Sequence, residues 1–486
     1  MFAVASSATL VGAVPRRVHV EAHVGRSKEK FALVGLPDAA IREAKERVRA
    51  AVTASSFRFP NRTLTVNLAP ADLPKMGSAF DLPIALGVLA ADESIPAAAA
   101  RVVAVGELAL DGTVRPARGV VAAAMVAAQM GVPCVVPEES VDRAATVPGA
   151  DVRGVRTLVE AVSAGFDPAP ERKHRQIDGD FDVPDLADVR GQPLARRALE
   201  VAAAGGHHLL LIGPPGTGKS MLAKRLAGIL PPLTDEELLE VMCTWEAADR
   251  DRQATSLPPF RAPHHSASRA ALLGGGSGSP VPGELTLAHN GVLFLDELGE
   301  FPASVLDALR QPLEDGVVEI ARRGWSERFP ARCQVVAATN PCPCGHRGDR
   351  HVACRCSDAA VDKYRRRLSG PLLDRFDLRV WMSKPERLDG PRGEPSEAVA
   401  SRVGAAVERQ RARGGRNAGL GSAQLDDLAF TEDGRRLLST TCDRGALTGR
   451  GYDRVRRVAR TIADLGASDA VDEAHVAEAI AFREAW

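Results

Sequence analysis

The chain has no net charge and no long hydrophobic run. Its 62 Lys and Arg residues balance 62 Asp and Glu residues. Because no overall positive field attracts polyanions, any contact with nucleic acid must come from a local basic patch. No apolar stretch reaches the roughly 18 residues that a membrane helix requires. These absences argue against a membrane protein and against a globally basic nucleic-acid-binding protein.

The N-terminus lacks the leading positive charge of a secretory signal. Residues 1–12 are mostly apolar, but they merge into the alternating segment Arg17 to Val24, so we interpret them as a first strand. The chain has eight cysteines, and four of them are clustered, which favours metal binding over disulfides in a reducing compartment. We therefore expect a cytoplasmic protein, and 486 residues predict about two to four domains.

A phosphate-binding loop stands near the middle of the chain. An apolar run over residues 208–212 predicts a buried strand, and the residues from Met221 onwards have a helical pattern. The loop between them fits G-x-x-x-x-G-K-[ST] and consists of Gly213, Pro214, Pro215, Gly216, Thr217, Gly218, Lys219 and Ser220. Glycines let backbone N–H groups approach phosphate oxygens, Lys219 can reach the β- and γ-phosphates, and Ser220 can bind Mg²⁺. The sequence therefore predicts a site for ATP and Mg²⁺.

Two further apolar segments end in polar residues. Residues 291–295 precede Asp296 and Glu297, which would lie at the end of a buried strand. There Asp296 can support Mg²⁺ and Glu297 can orient and deprotonate the attacking water, although two acids after a strand can also be plain surface residues. Residues 334–339 end in Asn340, which either faces the γ-phosphate or begins a turn.

Residues 1–165 are predicted to form a mixed α/β domain without a second phosphate loop. Helical spacing of apolar residues and strand-like alternation occur in turn. The predicted elements are helices from Asp38 to Val52, Phe80 to Ala90 and Val120 to Met130, and strands over Leu64–Leu68 and Val102–Leu108.

Residues 106–116 resemble the final strand and turn of the Lon-type protease fold. Those proteases use a serine that a lysine activates. Ser78 could imitate the nucleophile, but the lysine would lie early on the next helix, where residues 120–122 are Val and Ala. No lysine occurs between Lys75 and Lys173. We therefore expect a Lon-protease-like domain without peptidase activity, used for assembly or for docking a substrate.

Composition divides the rest of the chain. Residues 166–185 combine Pro with dense charge and predict a solvated linker. Residues 186–385 contain the nucleotide-binding motifs. After a Gly- and Pro-rich break, residues 390–486 are dominated by helical periodicity, which predicts a helical lid.

Four cysteines lie in one short segment. Cys342 and Cys344 are followed nine residues later by Cys354 and Cys356. Four thiolates suit tetrahedral Zn²⁺. The one-residue spacing within each pair is less usual than C-x-x-C, so a reduced, metal-free loop is the alternative. We expect structural zinc beside Asn340.

Taken together, nearly the whole chain resembles the YifB/ComM family of magnesium-chelatase-like AAA+ ATPases. The most specific segments are Val34–Asp38, Val66–Asp72, Phe260–His265 and Asn340–Gly345. The resemblance implies a multidomain α/β protein with a Lon-protease-like α+β N-terminal domain (ribosomal S5 domain 2-like), a P-loop AAA+ core with a parallel sheet, and a C-terminal helical lid. It also implies a hexameric motor that drives branch migration of DNA during natural transformation.

The same resemblance implies roles for four polar residues. Gln192 would lie against the adenine, and Asn340 would be a sensor of the γ-phosphate. Arg375 would be an arginine finger that reaches the ATP of the neighbouring subunit, where it offsets negative charge in the transition state. Arg450 would be a second sensor that contacts the γ-phosphate within its own subunit.

Two segments are candidates for contact with single-stranded or branched DNA. One covers residues 260–283, and the other is a predicted hairpin over residues 317–329, which in related ATPases points into a central pore. The candidate contacts are Arg261, His264, His265, Arg322 and Arg323. Guanidinium groups suit phosphates, but a solvated surface hairpin would look the same in sequence.

Two other functions compete with the DNA motor. A chelatase-type ATPase subunit would remodel a protein partner for metal insertion, but it would not be expected to carry a Lon-like first domain. A Lon-like protease is opposed by the missing lysine. Recombination proteins are further candidate partners, and no membrane partner is expected.

Overall fold

The computed structural model describes residues 1–27, 30–35, 38–73, 75, 77–166, 183–276, 280–322, 325–368, 370–384, 390–444 and 447–483. Contacts divide the chain into two units, of which the first comprises Met1–Gly179, Thr234–Ser256 and Ala321–Phe329 and the second the remainder. Most of the linker predicted at 166–185 lies outside the described residues. Each domain predicted from sequence was one continuous segment. In the structure, Thr234–Ser256 and Ala321–Phe329, which fall within the predicted nucleotide-binding region 186–385, group with the first unit.

A seven-stranded mixed sheet forms the first unit. The strands of this unit are β1 (Phe2–Val11), β2 (Val14–Val24), β3 (Lys30–Val34), β4 (Thr63–Ala69), β5 (Val103–Ala104), β6 (Glu107–Leu108), β7 (Val114–Arg115), β8 (Cys134–Pro137) and β9 (Val152–Val155). The sheet order is β3-β4-β2-β1-β5-β8-β9, while β6 and β7 pair separately. The antiparallel pairs β1–β2 and β2–β4 confirm that the apolar N-terminus is a strand.

Five helices accompany this sheet. They are α1 (Ala39–Ala54), α2 (Asp81–Ala91), α3 (Val120–Met130), α4 (Val141–Ala144) and α5 (Leu158–Ser163). Asp38 caps α1 by accepting a hydrogen bond from the Ile41 backbone N–H. The prediction of one strand over Val102–Leu108 was wrong, because Gly106 hydrogen-bonds to Ala79 and Leu82 at the start of α2 and separates β5 from β6.

The second unit is built on a five-stranded parallel sheet. The remaining strands of the chain are β10 (Leu209–Ile212), β11 (Phe260–Arg261), β12 (Gly274–Gly275), β13 (Val281–Pro282), β14 (Val292–Leu295), β15 (Val317–Arg322), β16 (Trp325–Pro330), β17 (Gln334–Thr339) and β18 (Leu378–Trp381). The sheet order is β11-β14-β17-β10-β18, and every adjacent pair is parallel. All residues of β10, β14 and β17 are buried, and all of them are apolar except Gln334 and Thr339 at the two ends of β17.

The remaining helices of the described residues follow in chain order to the C-terminus. They are α6 (Pro193–Gly205), α7 (Lys219–Lys224), α8 (Asp235–Ala247), α9 (Arg269–Leu273), α10 (Glu284–Leu287), α11 (Ala303–Asp315), α12 (Asp358–Arg367), α13 (Gly370–Leu373), α14 (Ser396–Ala412), α15 (Ser422–Asp426), α16 (Glu432–Asp443), α17 (Gly449–Leu465) and α18 (Glu473–Ala481). Apolar residues of α14, α17 and α18 share one hydrophobic core with β10 and α6. The predicted fold class, α/β with a parallel sheet and a C-terminal helical region, is confirmed. Among the described residues, no helix combines the length and apolar character needed to cross a bilayer.

Helix α8 belongs to the first unit although it follows the phosphate loop in sequence. Its buried Glu246 accepts hydrogen bonds from the backbone N–H groups of Val120, Val121 and Ala122 at 2.8, 3.3 and 3.3 Å, and Arg143 lies 3.5 Å away. A carboxylate therefore satisfies the N-terminus of α3, at the place where a Lon-type protease would carry its lysine.

We expect Glu246→Ala to lower the free energy of unfolding by about 3 kcal/mol, because buried N–H groups and Arg143 lose their acceptor. Urea unfolding of the full chain measures this loss. Glu236→Ala, which removes an exposed carboxylate from the same helix, is the control and should cost less than about 1 kcal/mol. Equal small effects of the two substitutions would contradict the anchoring role.

Candidate ATPase site

The carboxyl ends of three adjacent parallel strands carry the predicted nucleotide residues. The phosphate loop follows β10, Asp296 and Glu297 follow β14, and Asn340 follows β17. Since β17 pairs with both β10 and β14, the three groups meet at one edge of the sheet. This edge is the usual ligand-binding position in open α/β sheets.

The phosphate loop has the backbone geometry that phosphate binding requires. Gly216 and Gly218 have φ angles of +78° and +88°, and a Cβ at either position would meet nothing within 4 Å. Lys219 begins α7, and its Nζ donates to the carbonyls of Gly213 and Pro214 at 2.7 and 2.9 Å. An open cradle of glycines with an ammonium beside it fits the phosphates of a nucleotide.

Desolvation by burial lowers the pKa of Lys219 to about 8, while Asp296 and Glu297 oppose this shift. The ammonium is therefore lost as the pH rises through about 8, and with it the attraction for phosphate. We expect the Kd for ATP to rise about 30-fold between pH 7 and pH 9.5. Calorimetric titration with ATP at constant ionic strength measures the Kd at each pH. Lys219→Arg, which stays charged, should give a flat profile, and a flat profile in the unsubstituted protein would contradict the assignment.

Ser220 and Asp296 are in direct contact. The Ser220 hydroxyl donates to Asp296 Oδ2 at 2.7 Å. Two hard oxygen ligands, one after the phosphate loop and one after β14, suit Mg²⁺, which prefers few protein ligands plus phosphate oxygens. The side chains present therefore fit the predicted Mg²⁺ site.

The predicted catalytic base, Glu297, is held by a histidine. His265 Nδ1 lies 3.0 Å from Glu297 Oε2, and the Glu297 side chain is 54% exposed. Glu297 also has a φ angle of +51°, a left-handed conformation that is uncommon for a side-chain-bearing residue. The turn after β14 thus points this carboxylate at the segment that follows β11.

Asn340 and Gln192 also lie beside the phosphate loop. Asn340 Oδ1 accepts from Lys219 Nζ at 3.3 Å. Gln192 Nε2 donates to the Thr217 carbonyl at 3.3 Å and to the Ser383 carbonyl. Asn340 therefore reaches the lysine that is predicted to hold the β- and γ-phosphates. Gln192 lies beside the phosphate loop, and its contact with an adenine stays a prediction.

The four clustered cysteines converge. Their ligand atoms lie within 4.8 Å of one another, and Cys354 Sγ is 3.7 Å from both Cys342 Sγ and Cys344 Sγ. The Cys342 and Cys344 sulfurs are 3.5 Å apart. Tetrahedral Zn²⁺ with Zn–S bonds of about 2.3 Å places its sulfurs about 3.8 Å apart, so the thiols fit zinc, whereas a disulfide would require about 2.05 Å.

This cysteine cluster touches the phosphate loop. Cys342 follows Asn340 by two residues, and a Cβ on Gly345 would lie 2.8 Å from the Pro215 ring. Two histidines that are near the cysteines in sequence are not part of the cluster. His346 Nδ1 lies 3.2 Å from Asp349 Oδ2, and His351 is outside the group of convergent ligands.

The two predicted arginines meet at one carboxylate. Arg375 Nη2 donates to Glu314 Oε2, and Arg450 Nη2 lies 3.8 Å from Glu314 Oε1. The family resemblance predicted that Arg450 contacts the nucleotide of its own subunit. In the structure its charge partner is Glu314, which also binds Arg375, the predicted arginine finger. The two arginines therefore belong to one cluster.

The candidate DNA contacts are only partly described. Arg261 forms a two-point pair with Glu284 at 2.6 and 2.8 Å, so it would have to leave this carboxylate to bind phosphate. His264 hydrogen-bonds to Ser266 and stacks on His265 with ring centroids 4.1 Å apart. The predicted hairpin is present as β15 and β16. Arg323 and the side chain of Arg322 lie outside the described residues.

Sequence reasoning missed two acidic partners in this region, Glu314 and Glu284, and it missed the pairing of His265 with Glu297. Glu314 contacts both arginines, Glu284 contacts Arg261, and His265 contacts Glu297 rather than facing only solvent. None of these residues forms a motif with its partner, because each pair is brought together by the tertiary fold and not by local spacing.

Three family models match successive parts of the chain. The model described as magnesium chelatase, subunit ChlI, matches residues 185–389. The model of subunit ChlI of Mg-chelatase matches residues 20–140, and that of the ChlI C-terminal part matches residues 393–483. A first domain of this kind therefore does not count against a chelatase-type protein, contrary to the expectation from sequence.

Full-length relatives are known from several bacteria. An uncharacterised protein of Mycobacterium tuberculosis strain H37Rv is 45% identical over 96% of this chain and 95% of the relative. Competence protein ComM of Haemophilus influenzae is 41% identical over 99% of this chain and 97% of its own length. The uncharacterised protein YifB of Escherichia coli K12 is 42% identical over 96% and 94%.

Proposed function

Since this chain belongs to the magnesium-chelatase-like AAA+ ATPase family that includes ComM and YifB, we propose that it is a hexameric ATPase that moves DNA and drives branch migration in recombination during natural transformation. ATPase activity is the property of the family. Coupling to DNA and assembly into a ring of six are the proposal.

The site residues have separate tasks in hydrolysis. Lys219 and the phosphate-loop N–H groups bind the phosphates, Asn340 positions the end of the Lys219 side chain, and Glu297 orients and deprotonates water. Ser220 and Asp296 would hold Mg²⁺, and the ion when bound would supply positive charge against the phosphates. Arg375 from the neighbouring subunit compensates the charge that develops during transfer.

The contact between His265 and Glu297 is the observation that most directly supports a coupling between DNA binding and ATP hydrolysis. Strand β11 and the segment after it contain three of the predicted DNA contacts, Arg261, His264 and His265. His265 Nδ1 lies 3.0 Å from Oε2 of the proposed catalytic base, Glu297. A polyanion that draws His265 away would free Glu297 for water. DNA binding and hydrolysis would then be coupled through one side-chain contact.

The ATPase rate in the presence of DNA tests this proposal. We expect single-stranded or branched DNA to raise kcat in the unsubstituted protein. In His265→Ala the rate should already be raised without DNA and should respond less to its addition. No stimulation by any DNA form, with no DNA binding at low salt, would contradict the proposal.

The match to chelatase-subunit models favours one alternative, an ATPase that remodels a protein partner for metal insertion. It predicts that a protein and not DNA stimulates hydrolysis. Peptidase activity has less support, because Glu246 occupies the end of α3 where the activating lysine would lie.

We also propose that Cys342, Cys344, Cys354 and Cys356 hold one structural Zn²⁺. The convergence of their sulfurs supports it, and all eight cysteines lack disulfide partners, which suits a reducing cytoplasm. Because Gly345, next to Cys344, lies against Pro215 of the phosphate loop, the ion would stabilise one side of the nucleotide site.

We expect purified protein to contain about one zinc per chain, and Cys354→Ser to lose most of it together with most ATPase activity. Elemental analysis and a coupled ATPase assay measure both quantities. Cys442→Ser, at an isolated cysteine, is the control and should change neither. A fully active preparation that contains no metal would contradict the zinc site.

A further inference from the structure

Glu314, near the end of α11, lies between two guanidinium groups. One carboxylate oxygen accepts a hydrogen bond from Arg375, and the other lies 3.8 Å from Arg450. The arginines come from different parts of the second unit, one after α13 and one in the first turn of α17. Two guanidinium groups that approach the same carboxylate would repel each other if the carboxylate were removed.

The two arginines differ in accessibility. Arg375 is only 9% exposed, and its Nε has no hydrogen-bond partner among the described residues. The side chain of Arg450 is 65% exposed. The buried guanidinium therefore depends on Glu314 for its orientation, whereas the exposed one makes a weaker contact that a phosphate could replace.

Helix α17 contains Arg450 and also contacts the backbone of Arg375. Arg454, one turn after Arg450, donates to the backbone carbonyl of Arg375 at 2.7 Å and also contacts Asp377. Asp377 in turn lies 3.3 Å from His207 Nδ1, just before β10. Arg454 thus connects the backbone of Arg375 to the start of α17, and Glu314 contacts the ends of both the Arg375 and the Arg450 side chains.

We propose that Glu314 is a positioning residue that holds Arg375 and Arg450 as one pair, so that both guanidinium groups are presented together to the nucleotide of a neighbouring subunit. This inference rests on the proposed function, in which Arg375 acts on a neighbour. It also changes the role expected for Arg450, because a residue that shares Glu314 with Arg375 acts at the same subunit boundary.

Steady-state kinetics distinguish positioning from a general structural role. Glu314→Gln keeps the size of the side chain but removes its charge, and we expect kcat to fall about 30-fold while the KM for ATP changes less than about 2-fold. Glu314→Asp, which keeps the charge, should recover most of the rate. Asp315→Asn is the control on the same turn, since Asp315 contacts Gln311 instead, and it should behave like the unsubstituted protein.

Mixing of inactive subunits shows where Glu314 acts. A Lys219→Ala subunit cannot use ATP but still offers an intact arginine pair, and a Glu314→Gln subunit has the opposite defect. We expect a mixture of the two to hydrolyse ATP several-fold faster than the sum of the separate proteins. Arg375→Ala mixed with Lys219→Ala is run in parallel and should recover in the same way.

The parallel mixture separates the two possible failures. Recovery with Arg375→Ala but not with Glu314→Gln would overturn the positioning role and leave the shared site intact. Recovery with neither would contradict the shared site on which the proposed function depends. If Glu314→Asp is as inactive as Glu314→Gln and both lose assembly and thermal stability, Glu314 is structural and the inference is wrong.

Discussion

Glu297→Gln is expected to slow ATP hydrolysis by about 100-fold or more while leaving ATP affinity nearly unchanged, because general-base catalysis typically contributes a factor of this size. Glutamine keeps the shape of the side chain and can still accept a hydrogen bond from His265, so the turn after β14 should keep its conformation. It cannot take a proton from water at neutral pH. The protein should therefore accumulate with ATP bound.

Single-turnover hydrolysis and binding of a fluorescent ATP analogue measure the two properties separately. Glu300→Gln, which removes an exposed carboxylate three residues later, is the matched control and should retain normal turnover. Normal turnover in Glu297→Gln would refute the role assigned to this carboxylate.

Lys219→Ala should weaken ATP binding by about 100-fold, the effect expected when one partner of a partly buried charge contact is removed. Lys219 contacts the loop carbonyls and Asn340, so its ammonium already lies where the phosphates are predicted to bind. The alanine variant should consequently lose ATPase activity at ordinary ATP concentrations.

Lys224→Ala is the control for this substitution, because Lys224 is exposed at the other end of the same short helix. Equilibrium binding of labelled ATP checks both variants. Equal affinity of Lys219→Ala and the unsubstituted protein would remove the basis for a phosphate site in this loop.

Local patterns predicted the elements that carry the site. The phosphate loop, the acids after β14 and the polar residue after β17 each stand directly behind an apolar run, and buried parallel strands produce such runs. The helix Val120–Met130 and the hairpin of β15 and β16 were also predicted, since glycine before or within a turn marks their limits. These features depend on residues that are close in sequence.

Long-range placement was not predictable in the same way. Nothing in the sequence of α8 shows that Glu246 accepts hydrogen bonds from the N-terminus of α3, more than 120 residues away in the chain. Glu314 resembles any surface acid at the end of a helix, yet it joins two arginines that are 75 residues apart in the chain. Charge pairs across a fold have no local signature, because the backbone alone decides which side chains meet.

The most direct measurement of the central claim is ATP-driven branch migration of a mobile four-way DNA junction by the purified protein. We predict that the unsubstituted protein and Glu300→Gln convert the junction into duplex products, while Glu297→Gln binds the junction with ATP and releases no product. The account would be contradicted by a protein that hydrolyses ATP at full rate with the junction bound and leaves every junction intact.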